Sequence, residues 1–131
     1  MNRTTRTLTA LLGLTLTLGA GAVPAARTIS GTITAAGGHS LKDTVVIACP
    51  KGDCDSDDVK GMVVESTGAT TTFTLGDLDD VDYAIYAVQD NDGDEDVSAG
   101  DWVDRNLAQE KEAALVKIGT KTVKLELVEV K

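Results

Sequence analysis

Six carboxylates crowd into residues 90–101 of the stretch VQDNDGDEDVSAGDW. Counted from Asp90, oxygen-bearing side chains fall at Asp90, Asp92, Asp94, Asp96, Ser98 and Asp101, which are positions 1, 3, 5, 7, 9 and 12 of a calcium-binding loop. Calcium takes six to eight hard oxygen ligands in a flexible shell, the chemistry that alternating carboxylates supply. In such a shell Asp96 would act through its backbone carbonyl, and Ser98 directly or through water. Two positions depart from the pattern. Glu95 stands where the sharp-turn glycine belongs, with Gly93 two places early, and Asp101 replaces the closing glutamate. The competing reading is a solvated acidic loop without an ion. Like charges this dense raise one another's free energy unless a cation offsets them, so calcium is the expected cofactor.

Other reactive side chains are sparse. Cys49 and Cys54 close ACPKGDC, and a pair so placed in an exported chain is expected to form a local disulfide. DCDSDD (Asp53, Asp55, Asp57, Asp58) and GDLDDVD (Asp77, Asp79, Asp80, Asp82) read as solvated turns, since Asp is a common turn former. The single histidine, His39, lies in the glycine-rich AGGHSL beside Ser40, a poor geometry for a nucleophile and its base. No catalytic residue is assigned. A copper-dependent superoxide dismutase is also an exported β-sandwich, but its copper needs several imidazoles, and one histidine cannot supply them. The alternative to a non-enzymatic module is therefore a small enzyme or enzyme subunit whose metal is held by carboxylates alone.

The elements that must position these groups are strands. Segments 28–34, 44–49, 59–66, 70–75, 83–89, 114–118 and 122–130 are rich in β-branched or aromatic residues, with alternation clearest at Val123, Leu125 and Leu127. Residues 119–121 read as a hairpin turn, and only 106–115 has helical composition, enough for a short turn or a loop. Seven short strands predict an all-β, antiparallel seven-stranded sandwich. If successive strands reverse direction, the cysteine loop and the 77–82 loop share one pole, and His39 and the acidic loop share the other. Trp102 flanks the acidic loop and is expected to pack on the core beneath it.

Residues 1–26 read as a cleaved signal peptide. MNRTTR is basic, LTALLGLTLTLGAGA is apolar but threonine-laced and too short to span a bilayer, and VPAA ends in small residues. The remaining 27–131 would form one domain, placed in the periplasm, at the cell surface or outside the cell. The whole chain carries 12 basic and 21 acidic residues; without Arg3 and Arg6 the balance is 10 − 21 = −11. Such acidity argues against nucleic acid and anionic membranes as partners.

ISGTITAAGGHSLKDTVVIAC followed by FTLGDLDDVDYAIYAVQD resembles the carboxypeptidase-regulatory-like, prealbumin-like (Ig-like) β-sandwich family over residues 29–102. Family members open with a strand like SGTVT and a glycine turn, and continue with a motif in which glycine usually precedes the tyrosine; Val81 departs from that here. Relatives carry acidic loops after this strand, and Gly100-Asp101 matches their closing pair. The resemblance implies an extracellular accessory, adhesive or spacer module, and so an envelope protein or a glycan as partner.

Overall fold

The computed structural model describes residues 27–91, 93 and 97–131. The signal-like segment 1–26 and Asp92, Asp94, Glu95 and Asp96 lie outside the described residues.

Among the described residues the fold is all-β apart from one short α-helix and a 3-10 turn at Ala36–Gly38. Seven strands, β1 (Ile29–Ala35), β2 (Val45–Pro50), β3 (Lys60–Val63), β4 (Thr70–Leu75), β5 (Tyr83–Gln89), β6 (Trp102–Asp104) and β7 (Val123–Glu129), form one mixed sheet in the order β3-β2-β5-β6-β7-β1-β4. The sheet curls like a barrel and encloses one main core, which includes Ile29, Ile33, Val46, Phe73, Leu75, Tyr83 and Leu127. Truncating any of these to alanine would cost about 2–5 kcal/mol, because the space left behind relaxes only partly.

Period-2 sequence explains the outer strands. In β1, Ile29, Ile33 and Ala35 are buried while Ser30, Thr32 and Thr34 stay half-exposed, and in β7 Leu125 and Leu127 point inward. Gly31 is required where β1 meets β7: a Cβ there would sit 1.9 Å from the Val123 carbonyl oxygen. Strand β5 is buried on both faces, so its sequence YAIYAVQ runs apolar without alternation. Tyr83, Ile85 and Ala87 face the main core. Ala84 and Tyr86 form a second cluster with Cys49 under Leu107 and Ala113, and the Ala113 N–H donates to the Tyr86 hydroxyl at 3.0 Å.

Two expectations are corrected. The sheet is mixed, because β1 pairs with β7 in parallel while every other pairing is antiparallel. Strand direction does reverse at each step along the chain. The first and seventh strands therefore point the same way, and once they become neighbours they can only pair in parallel. Residues 114–118 form no strand: only Val116 bridges, exchanging both backbone hydrogen bonds with Tyr83. The seventh strand is instead Trp102–Asp104, too short for periodicity to reveal. The short turn expected around residues 106–115 forms as α1 (Arg105–Ala108), with Asp104 at its N-cap position. A turn does form around Gly119, but it leads from the Val116 bridge into β7.

Candidate functional site

Alternating strand direction gathers β-loops at two poles. At one, the cysteine loop meets the 76–82 loop: the Lys51 N–H donates to the Asp82 carbonyl at 2.8 Å, and Asp53, Ser56, Asp58 and Asp79 line a shallow groove of about 310 Å³. Cys49 and Cys54 are disulfide-bonded there, with Cα atoms 4.6 Å apart. The buried Tyr83 accepts the Asp79 N–H at 2.8 Å through its hydroxyl, which holds the turn where Val81 replaces the glycine of the resembled motif.

The acidic loop occupies the other pole, and Asp101 organises it. This carboxylate is fully buried. Its Oδ1 accepts the Asn91 N–H at 2.9 Å, and its Oδ2 accepts the Ser98 N–H at 2.9 Å and the Ser98 hydroxyl at 3.2 Å. One side chain thus ties both ends of the loop together. Asp90 accepts the Gly93 N–H through Oδ1 at 3.0 Å. The loop base is also fixed to the chain end, because Gly100 donates to Val130 and Val130 donates to Asp101. Asp90, Ser98 and Asp101 therefore share one loop, while Asp92, Asp94 and Asp96 lie outside the described residues. Among the described residues, no group of three or more His, Cys, Asp or Glu side chains is arranged to hold a metal ion.

Beside this loop stand the chain's one histidine and one tryptophan. Their rings stack at 3.9 Å between centroids, tilted by 3°. Gln89, at the end of β5, holds the histidine. Its Nε2 donates to the carbonyls of Ser40 and Lys42 at 2.9 and 3.0 Å, so its Oε1 is an acceptor. His39 Nε2, 2.7 Å from that oxygen, therefore carries a proton and donates, as does Asn91 Nδ2 at 3.1 Å. Trp102 packs on the core with one part of its surface and on His39 with another. The expected neighbourhood of His39 and the acidic loop is realised, and the ring serves as a latch between the β1–β2 connection and β5–β6.

A second group escaped sequence reasoning. Asp104 is 1% exposed; its Oδ1 accepts the Ala87 N–H at 3.2 Å, and its Oδ2 has no hydrogen-bond partner. Burial raises its pKa to about 6, against the opposing pull of the backbone amides of Ala87, Leu107 and Asn106. The available signal was an acid ending the apolar pair Trp102-Val103 immediately before RNLA, an N-cap pattern. Next to it opens a groove of about 600 Å³ between α1 and the outer face of β7 and β1, lined by Thr32, Thr34, Arg105, Asn106, Lys124 and Glu126. Arg105 pairs with Glu126 across it, which raises the guanidinium pKa and lowers that of the carboxyl.

No protein-family model, curated protein or solved structure matches the chain, so its functional reading rests on these geometries alone.

Proposed function

We propose that the chain is an exported, non-enzymatic β-sandwich module of the Ig-like, prealbumin-like kind, stiffened by calcium, that supports or binds another envelope protein or a glycan. The observation that carries this reading is the build of the acidic loop: a fully buried Asp101 ties its two ends, and the sequence between those ends is dense in carboxylates. Asp90, Asp92 and Asp94 would ligate through their side chains and Asp96 through its carbonyl. Ser98 and Asp101 would complete the shell at the tied end. A calcium ion there would offset a repulsion that the fold otherwise bears.

The remaining parts have separate support. The seven strands enclose one main core, as the two faces of a sandwich would. The Cys49–Cys54 disulfide fits an oxidising compartment, in keeping with cleavage of residues 1–26. His39 uses Nε2 on Gln89 and its ring face on Trp102, which suits a latch better than a general base.

Thermal unfolding tests the reading. At free calcium a hundredfold above the dissociation constant the native state gains ~2.7 kcal/mol, several degrees for a domain of this size. Potassium at matched ionic strength should not reproduce that gain. The double variant Asp90→Asn, Asp92→Asn should lose most of it while its calcium-free melting point holds or rises slightly. Equal stabilisation by calcium and matched potassium would reduce the loop to an acidic surface.

A further inference from the structure

We infer that the groove between α1 and the outer face of β7 and β1 is a subsite for a carboxylate-bearing oligosaccharide. The inference rests on the reading of the chain as a binding module, and not on the calcium loop, which lies on other residues.

The floor of the groove is built from strand alternation. Ile33 and Leu125 turn into the core, so Thr32 and Thr34 of β1 and Lys124 and Glu126 of β7 face outward. Register sets them in two rungs: Thr32 beside Lys124 and Thr34 beside Glu126. The edge strand continues both rungs, with Thr72 beside Thr32 and Thr70 beside Thr34, and the Thr70 hydroxyl donates to that of Thr34 at 3.4 Å. Helix α1 forms the wall, fixed by the Arg105–Glu126 pair.

Two features select the ligand. First, within each rung the side chains of neighbouring strands stand about 4.8 Å apart, close to the length of one pyranose residue, and the threonines of each rung offer hydroxyls that both donate and accept, as sugar hydroxyls require. Second, the charge is locally unlike the rest of an acidic chain. Arg105 and Glu126 neutralise each other, while Lys124 forms no ion pair among the described residues and is exposed, leaving a cation for a ligand carboxylate. A protein partner is disfavoured because the apolar side chains most exposed elsewhere, Val45, Val63, Val97 and Leu115, do not line the groove, and protein interfaces rely on such anchors.

Binding by hydrogen bonds and one charge, without an aromatic platform, should be weak, with a Kd on the order of 1 mM. The test is titration of the purified chain with tetragalacturonate and, separately, neutral cellotetraose, followed by amide chemical shifts in EDTA so that calcium cannot bridge the ligand. Tetragalacturonate should shift amides of β1, β7 and α1. The variant Thr32→Val, Thr34→Val keeps β-branched side chains and so the strand, and should weaken binding roughly tenfold through two lost hydrogen bonds. Lys124→Ala should reduce tetragalacturonate binding to the level of cellotetraose. Absence of groove shifts with either sugar overturns the site, as does unchanged binding by the double variant; equal binding of the two sugars by the unmodified chain overturns the role of Lys124. Failure here leaves the calcium-dependent melting unaffected, so the two readings fall separately.

Discussion

Asp104 should make this protein less stable as pH rises from about 4 to about 6. Its carboxyl is 1% exposed, with one oxygen bonded to the Ala87 N–H and the other unpartnered, and its pKa stands at about 6 against an ordinary 3.8. A folded pKa above the unfolded one means that the native state holds the proton more tightly. Its stabilising effect is complete below the unfolded value and is lost as pH climbs through the folded one. Two pKa units correspond to about 3 kcal/mol. The informative perturbation is Asp104→Asn, which keeps an acceptor for Ala87 and removes the charge. Urea unfolding of both proteins from pH 3.5 to pH 7 isolates this group, because the other carboxylates are common to the two and cancel in the difference. Relative to the parent, the variant should gain most of about 3 kcal/mol across that range, whatever its offset at low pH. A difference that stays flat between pH 4 and pH 7 would refute the reasoning, since the buried carboxylate would then ionise without cost.

Gly31→Ala should cost about 3 kcal/mol or more by urea unfolding, because its Cβ meets the Val123 carbonyl at 1.9 Å, whereas Gly38→Ala, in open space at φ 77°, should cost about 1 kcal/mol. Thiol labelling of the unreduced, unfolded protein should fail at both cysteines, and reduction should lower stability by about 2 kcal/mol, as befits a loop closed over so few residues. His39→Ala should uncover one face of the only tryptophan, shifting its fluorescence to the red and costing about 1 kcal/mol; an unchanged spectrum would place the ring elsewhere.

What was legible in the sequence was whatever a strand reports through its own side chains. Alternation marked β7, and β-branched or aromatic composition marked β1 and β5. Chain direction alone then assigned His39 and the acidic loop to one pole and the cysteine loop and the 77–82 loop to the other, as the Gln89 and Lys51 contacts bear out. Pairing between distant strands was not legible, because residues 29–35 say nothing of whether residues 123–129 will lie beside them. The parallel β1–β7 contact therefore appeared only in the fold.

The misplaced seventh strand has a more specific cause, and it leads to the buried carboxylate. Residues 114–118 have strand composition, yet only Val116 reaches β5, at Tyr83. Strand β6 reaches β5 from the other direction but pairs only at Val88 and Gln89 before α1 begins at Arg105. Between these two contacts the inward-running edge of β5 lacks a continuous partner, and the Ala87 N–H needs an acceptor in a buried place, where an unpaired amide is costly. Asp104 supplies it with a side-chain oxygen, extending the ladder by one bond beyond the strand that carries it. Asparagine could accept the same bond without a charge, so the raised pKa is not a requirement of the ladder. The acid at this position is the choice that the fold's hydrogen bonding leaves unexplained: its second oxygen is buried without a hydrogen-bond partner.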